Sequence, residues 1–196
     1  MKTILTLILL FSLLATGCRK GEDDPFLSLK SRNKRLCGKW KVVESVEKYQ
    51  IGSSINDYEE YVFNFSSPAV EVFLGGVPIT SYSYSEEWEF FSDGKYTHCA
   101  SEPNFSMSEE GFWNWNGKDK NSDFKKKECV YLTGNKYNYN NGETVDEYSG
   151  RTQQPSKVII LKRLTAKELV FECEFSINII GTDYARYEAT IKLNKI

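Results

Sequence analysis

The sequence predicts an all-β fold: an antiparallel up-and-down β-barrel of about 8–10 strands behind a short N-terminal helix. Three observations predict it. Aromatic and β-branched residues recur from Trp40 onward, and no long window carries a helical period. Asp93-Gly94 stands between apolar alternations, as a hairpin turn that needs positive φ does, while Asn116-Gly117 leads into a charged loop and Asn141-Gly142 ends a polar stretch. The last two segments alternate without a break. Leu169, Phe171, Cys173, Phe175, Ile177 and Ile179 share one face of the first, and Ala185, Tyr187, Ala189, Ile191 and Leu193 share one face of the second. One apolar and one wet face is the pattern of an antiparallel sheet or barrel wall.

The N-terminus reads separately. Lys2, the apolar run Ile4 to Ala15 and the small residues Ala15-Thr16-Gly17 form the three parts of an export signal. The run is shorter than the roughly 20 apolar residues that span a bilayer, and the charged residues Arg19 and Lys20 follow at once. Residues 1–17 are therefore expected to be a cleaved signal peptide. Leu13-Leu14-Ala15-Thr16-Gly17-Cys18 resembles a lipobox. That resemblance implies a lipid on Cys18, which becomes the new N-terminus, and a membrane as partner. Two or more acyl chains hold a protein stably where one does not. The bland alternative is an ordinary secretory signal followed by a chance cysteine.

Cleavage removes one charge, Lys2, and moves the formal net charge from −2 to −3. A chain so near balance argues against a nucleic-acid binder held by a basic surface. About 179 residues remain, enough for one domain with a sizeable core.

Residues 18–35 read as a tether and plug, and 36–196 as the barrel domain. The tether carries a compact acidic run, Glu22, Asp23 and Asp24. Phe26, Leu27, Leu29 and Leu36 then alternate with Lys30, Arg32, Lys34 and Arg35, which predicts a short helix packed on the domain. Basic residues there also suit a membrane surface. Strands follow at Trp40–Val46, Tyr61–Phe65 and in shorter pieces of 70–84 interrupted by Gly75-Gly76 and Pro78. Glu87–Phe91 and Lys95–His98 flank the Asp93-Gly94 turn. Gly111–Trp115, Glu128–Thr133, a brief Val145–Tyr148 and Lys157–Leu161 come next. The two long strands Leu169–Ile180 and Tyr184–Leu193 close the chain.

Leu36-Cys37-Gly38-Lys39-Trp40 resembles the G-x-W motif that opens the first strand of lipocalins. The stretch 21–32, Trp88-Glu89-Phe90 with Asp93-Gly94-Lys95-Tyr96, Gly111 with Trp113 and Trp115, and Leu164-Thr165-Ala166-Lys167-Glu168-Leu169 look like Bacteroidetes-type lipocalin-like lipoproteins, in the same order. The resemblance implies a lipocalin-like barrel capped by Trp40, with a cation packed over that ring. Arg163, Arg186 and Lys192 are the candidates for the cation. It also implies that the acidic run directs the lipoprotein to the outer membrane, facing the cell surface. The stretch 51–85 is longer than a single hairpin connection requires.

Little in the chain points to chemistry. No Gly-x-Ser-x-Gly elbow and no glycine-rich phosphate loop is present. His98, the single histidine, is expected at the surface just after a hairpin, and Glu86, Glu87 and Glu89 are expected on a solvated strand edge. Cys37, Cys99, Cys129 and Cys173 allow three disulfide pairings, or serve as small buried apolar residues. Their spacing fits no zinc motif. No catalytic residue, metal or cofactor is expected.

The aromatics offer the better lead. Trp88 and Phe90 share one strand face, as do Trp113 and Trp115. They are the candidate ligand-binding residues if the barrel is hollow, and core filling if it is not. Two functions follow from these alternatives. One is a lipid-anchored binding protein for a small apolar molecule. The other is a filled barrel serving as a structural or protein-interaction module at the cell surface.

Overall fold

The computed structural model describes residues 31–54, 56–116, 128–142, 144–149, 157–176 and 184–196. Cys18, the acidic run and the turn residue Gly117 lie outside the described residues. One short helix, α1 (Arg32–Leu36), precedes twelve strands: β1 (Gly38–Ser54), β2 (Asp57–Ser66), β3 (Ala69–Leu74), β4 (Val77–Ser83), β5 (Ser85–Phe90), β6 (Lys95–Glu102), β7 (Phe105–Trp115), β8 (Glu128–Asn140), β9 (Val145–Ser149), β10 (Lys157–Leu164), β11 (Glu168–Ser176) and β12 (Tyr184–Lys195).

Eight of these close into an antiparallel barrel in the order β1-β5-β6-β7-β8-β10-β11-β12, with β12 pairing back onto β1. Closure removes the free edges that an open sheet must otherwise protect. The stretch 51–85 is not one connection. It carries a three-stranded meander, β2-β3-β4, hydrogen-bonded to β1.

The length of β1 makes room for that meander. Its first residues, Gly38–Lys41, pair with β5. A bulge between Val42 and Glu44 follows, and from Glu44 onward the same edge pairs with β2. The other edge of β1 pairs with β12 throughout, from Trp40 to Gly52. β8 is shared in the same way: its first half pairs with β10 and its second with β9. A bulge bends and twists its strand, so the wall splits where β1 leaves β5.

One end of the barrel is dry and closed. Leu36, Trp40, Val42, Phe90, Trp113, Val130, Leu132, Leu161, Leu164, Leu169, Phe171, Ile191 and Leu193 form a continuous apolar cluster there. α1 caps it. Ser31 accepts a hydrogen bond from the Lys34 amide at its start, and Arg35 reaches the Leu164 carbonyl.

The cation over Trp40 is Lys195, not Arg163, Arg186 or Lys192. Its Nζ lies 4.9 Å from the ring centroid and donates to the carbonyls of Arg35 and Cys37. The three candidates were one strand face away: Arg163, Arg186 and Lys192 form ion pairs with Glu168, Glu174 and Glu44 instead. Lys195 follows Leu193 on the inward-facing set of β12. Gly38 makes the closure possible. It sits at φ +126°, and a Cβ there would meet Lys195 Cε at 2.5 Å. The hairpin at Asp93-Gly94 forms as expected, with Gly94 at φ +88° and β5 paired to β6.

All four described cysteines are free thiols. Cys129 is buried and Cys99 is exposed, so the reading as small buried residues fits the first and not the second.

Candidate functional site

The inward faces change character along the barrel. Trp88 and Phe90 sit deep in the core, with rings 6.2 Å apart. Trp113 packs edge-on against Phe90 at 6.1 Å and donates to the Phe91 carbonyl. Trp115 does not line the interior with them. It lies at the closed end, where Arg32 stacks 4.0 Å over its ring and Asn33 accepts its N–H. Of the four aromatic candidates, three thus fill the apolar half and one holds the helical plug.

Beyond Trp88 a polar layer crosses the barrel. His98 stacks on Trp88 at 3.9 Å between ring centroids and is buried, as are Glu86 and Glu109. This overturns the expectation of a surface histidine and of a solvated Glu86. Alternation puts Glu86 on the face of Trp88 and Phe90, and His98 on the face of Tyr96, so both point inward. Glu87, on the opposite face, pairs with Lys39 at 2.7 Å in partial exposure.

The layer is built to hold charge. Glu86 receives His98 Nε2 at 2.9 Å, Trp88 Nε1 at 2.7 Å and Tyr84 Oη at 2.9 Å. Glu109 receives Tyr96 Oη and, at 2.8 Å, Lys157 Nζ. His98 Nδ1 lies 3.7 Å from Glu109 Oε2, too far for a direct hydrogen bond, and it has no other partner.

Burial pushes the Glu86 carboxyl up, but the hydrogen bonds and charge of His98 outweigh it and its pKa falls below the ordinary value. Burial likewise raises Glu109, while His98 and Lys157 hold it well below the usual carboxylate range. Burial would lower the pKa of His98; the two carboxylates outweigh that and raise it. The shifts of Glu86, Glu109 and His98 all favour the charged forms, and Lys157 pairs with Glu109 at 2.8 Å. The His98 nitrogens face the carboxylates of Glu86 and Glu109 rather than a hydroxyl or thiol.

Beside this layer lies a half-enclosed cavity of about 250 Å³, where β2-β3-β4 curves away from the split wall. Its lining comes from β1 (Ser45, Glu47, Tyr49), β2 and β3 (Phe63, Phe65, Val70), and Tyr82, Tyr84 and Glu102. The bulge in β1 shifts the inward set from Trp40 and Val42 to Ser45, Glu47 and Tyr49. Glu47 accepts from Tyr187 Oη at 2.9 Å and Ser45 Oγ at 3.1 Å. No cation among the described residues lines the cavity. Burial first, and the charge on Glu86 second, push the Glu47 carboxyl up to about 7.

Tyr84 joins the two features, since it lines the cavity and donates to Glu86. A larger and shallower hollow of about 460 Å³ lies on the outer face of β5 to β8, among Ser85, Glu87, Cys99, Ser101, Ser106 and Asn138. Met107, Tyr139 and Val145 line it together with these short polar side chains.

No protein-family profile matches the chain, and no curated protein matches it. Among solved structures, the crystal structure of Rv2717c from M. tuberculosis is similar at 13% sequence identity, with 83% of this chain and 93% of that chain covered and a TM-score of 0.30. The barrel assignment accordingly rests on the strand pairing of this chain.

Proposed function

We propose that this chain is a lipid-anchored binding protein of the cell envelope, of the lipocalin-like kind found in Bacteroidetes, and that its barrel holds one small molecule with an apolar body. One observation carries the binding reading: the cavity of about 250 Å³ lined by rings and carboxylates beside an otherwise packed interior. Eight strands enclose just enough space for side chains or for one small ligand. The volume falls below the usual range of about 300–1,000 Å³ for ligand pockets, so the ligand is small. Trp88, Phe90 and Trp113 belong to the packed core and do not line this site.

The anchoring half of the proposal rests on Cys18 and the segment around it, and the acidic run Glu22-Asp23-Asp24 favours the outer membrane. Native mass spectrometry of the purified protein tests binding: a small molecule retained in stoichiometric amount is the expected result. Repeated recovery of an empty protein, with no small-molecule shift in melting temperature, overturns it. Cys18→Ala tests anchoring. It should abolish acyl labelling and release the protein in soluble form, and persistent labelling would refute the assignment.

A second reading, a filled barrel acting in protein contact, draws on β4, where Val77 and Ile79 are 63% and 51% exposed. Loss of a protein partner on Ile79→Lys, with no ligand ever recovered, would favour it.

A further inference from the structure

We infer that the cavity selects a small organic ammonium ion, a methylated or otherwise substituted amine, over neutral molecules of the same shape. The inference deepens the binding function proposed above and rests on it. Three features of the lining carry it.

The first is charge. Among the described residues, two carboxylates, Glu47 and Glu102, line the cavity, and no lysine, arginine or histidine does. The nearest buried cations are already committed: His98 to Glu86, and Lys157 to Glu109. An anionic ligand would face two acids without a counter-charge, whereas a cation would supply the charge that the lining lacks.

The second is the rings. Tyr49, Phe63, Phe65, Tyr82 and Tyr84 surround the same space. Tyr49 and Phe63 meet at 5.3 Å and 73°, and Phe65 and Tyr84 at 5.2 Å and 73°. An edge-to-face contact engages one face of one ring; Tyr49 is engaged a second time by Tyr187 at 4.7 Å, so the faces offered to a cation come from Tyr82 and from the remaining faces of Phe63, Phe65 and Tyr84. The electron-rich face of an aromatic ring attracts a cation, and several rings around one space make a cage for alkylated ammonium groups.

The third is the hydrogen-bond inventory. Glu47 already accepts from Ser45 and Tyr187, and Glu102 lies 3.5 Å from Tyr82 Oη. The hydroxyls of Ser45, Tyr82, Tyr84 and Tyr187 are thus turned toward carboxylates of the protein. A ligand gains more from charge and ring contact here than from donating or accepting a particular hydrogen bond. A substituted ammonium, which carries positive charge on an apolar surface, fits that demand.

The test uses the full chain purified in detergent and isothermal titration with choline. Its uncharged isostere, with a tert-butyl group in place of trimethylammonium, is titrated in parallel. Choline should bind about tenfold tighter or more. Glu47→Gln should weaken choline by a similar factor and leave the isostere unchanged. Tyr82→Leu should weaken both, choline more. Circular dichroism checks that each variant retains the wild-type β spectrum; glutamine mimics a protonated Glu47, so the fold should survive that change.

Equal binding of choline and isostere, or tighter binding of the isostere, overturns the ammonium assignment while leaving a small-molecule site in place. Binding of neither probe, with a neutral or anionic molecule recovered by native mass spectrometry, does the same. Binding of neither probe by a protein that is also empty removes the binding function itself.

Discussion

Replacing His98 by phenylalanine separates the electrostatic role of the polar layer from packing. The substitution keeps a flat ring against Trp88, 3.9 Å away in the native stack, and removes the one cation that touches Glu86. Glu109 retains Lys157 at 2.8 Å, so the loss falls on Glu86, left with the neutral donors Trp88 and Tyr84.

The effect depends on pH in a defined direction. Glu86 titrates near 4.5 in the unfolded chain and below that in the native protein. Without His98, burial dominates and its native pKa rises above 4.5. The folded variant then holds a proton that its unfolded form releases, and its stability falls as pH climbs. The wild type has no such slope from this pair until His98 begins to lose its own proton in the unfolded chain, near pH 6.5.

One proton corresponds to about 1.4 kcal/mol per pH unit. Across the two units from 4.5 to 6.5, the penalty should therefore grow by up to about 3 kcal/mol, within the roughly 3–5 kcal/mol typical of stripping one partner from a buried ion pair. Urea unfolding followed by tryptophan fluorescence at several pH values between these limits reads it directly. A penalty that is the same at every pH would show that His98 only fills space, and would refute the charged layer.

The intact protein should be most stable near about pH 5. Below 4.5 the unfolded chain takes up protons at Glu86 and Glu109 that the native protein does not yet bind, so their contribution falls progressively as pH drops through the lowered native values. Above 4.5 Glu47, raised to about 7, must give up a proton that the fold retains, and His98 follows at higher pH. Thermal melts across pH 3.5–8.5 check the profile, and a plateau from pH 5 to 8 would contradict it. Gly134→Ala should cost about 1–3 kcal/mol, because its Cβ would lie 2.7 Å from Tyr137 Oη and 2.8 Å from Glu109 Oε1; a denaturant midpoint like the wild type's would show that Tyr137 swings aside. Lys195→Met should destabilise by about 2–4 kcal/mol, since it leaves two carbonyls at the helical cap without their donor. Denaturant midpoints measure that loss, and rescue by Lys195→Arg would show that the charge and its reach matter.

The barrel was legible because its walls are two-faced in the sequence itself. In β12, Ala185, Tyr187, Ala189, Ile191 and Leu193 all face inward, and the residues between them are charged or polar. Alternation with one apolar face admits one register only. The same rule, followed strictly, also places Glu86 with Trp88 and Phe90, and His98 with Tyr96. What obscured those two was their chemistry: polar residues at a strand start or after a turn are usually solvated. Only cross-strand pairing reveals that they meet, because Trp88 stands opposite His98 in the β5–β6 register. A carboxylate becomes tolerable inside when its partners arrive from other strands, and a single strand does not announce them.

The cavity was less legible still, and the reason lies in β1. Trp40 to Val46 reads as one strand, yet the bulge between Val42 and Glu44 resets its phase. Before the bulge the inward residues are apolar; after it they are Ser45, Glu47 and Tyr49. The same bulge releases β1 from β5 and hands its edge to β2. One inserted residue therefore changes the inward chemistry and opens the wall at the same point. A period-two reading averages over such a step, because the shift leaves the composition intact. It follows that the closed end of this barrel specifies the fold and the split end specifies what it can hold. Substitutions at Trp40 or Lys195 should act on stability, whereas substitutions at Glu47 or Tyr82 should act on selectivity.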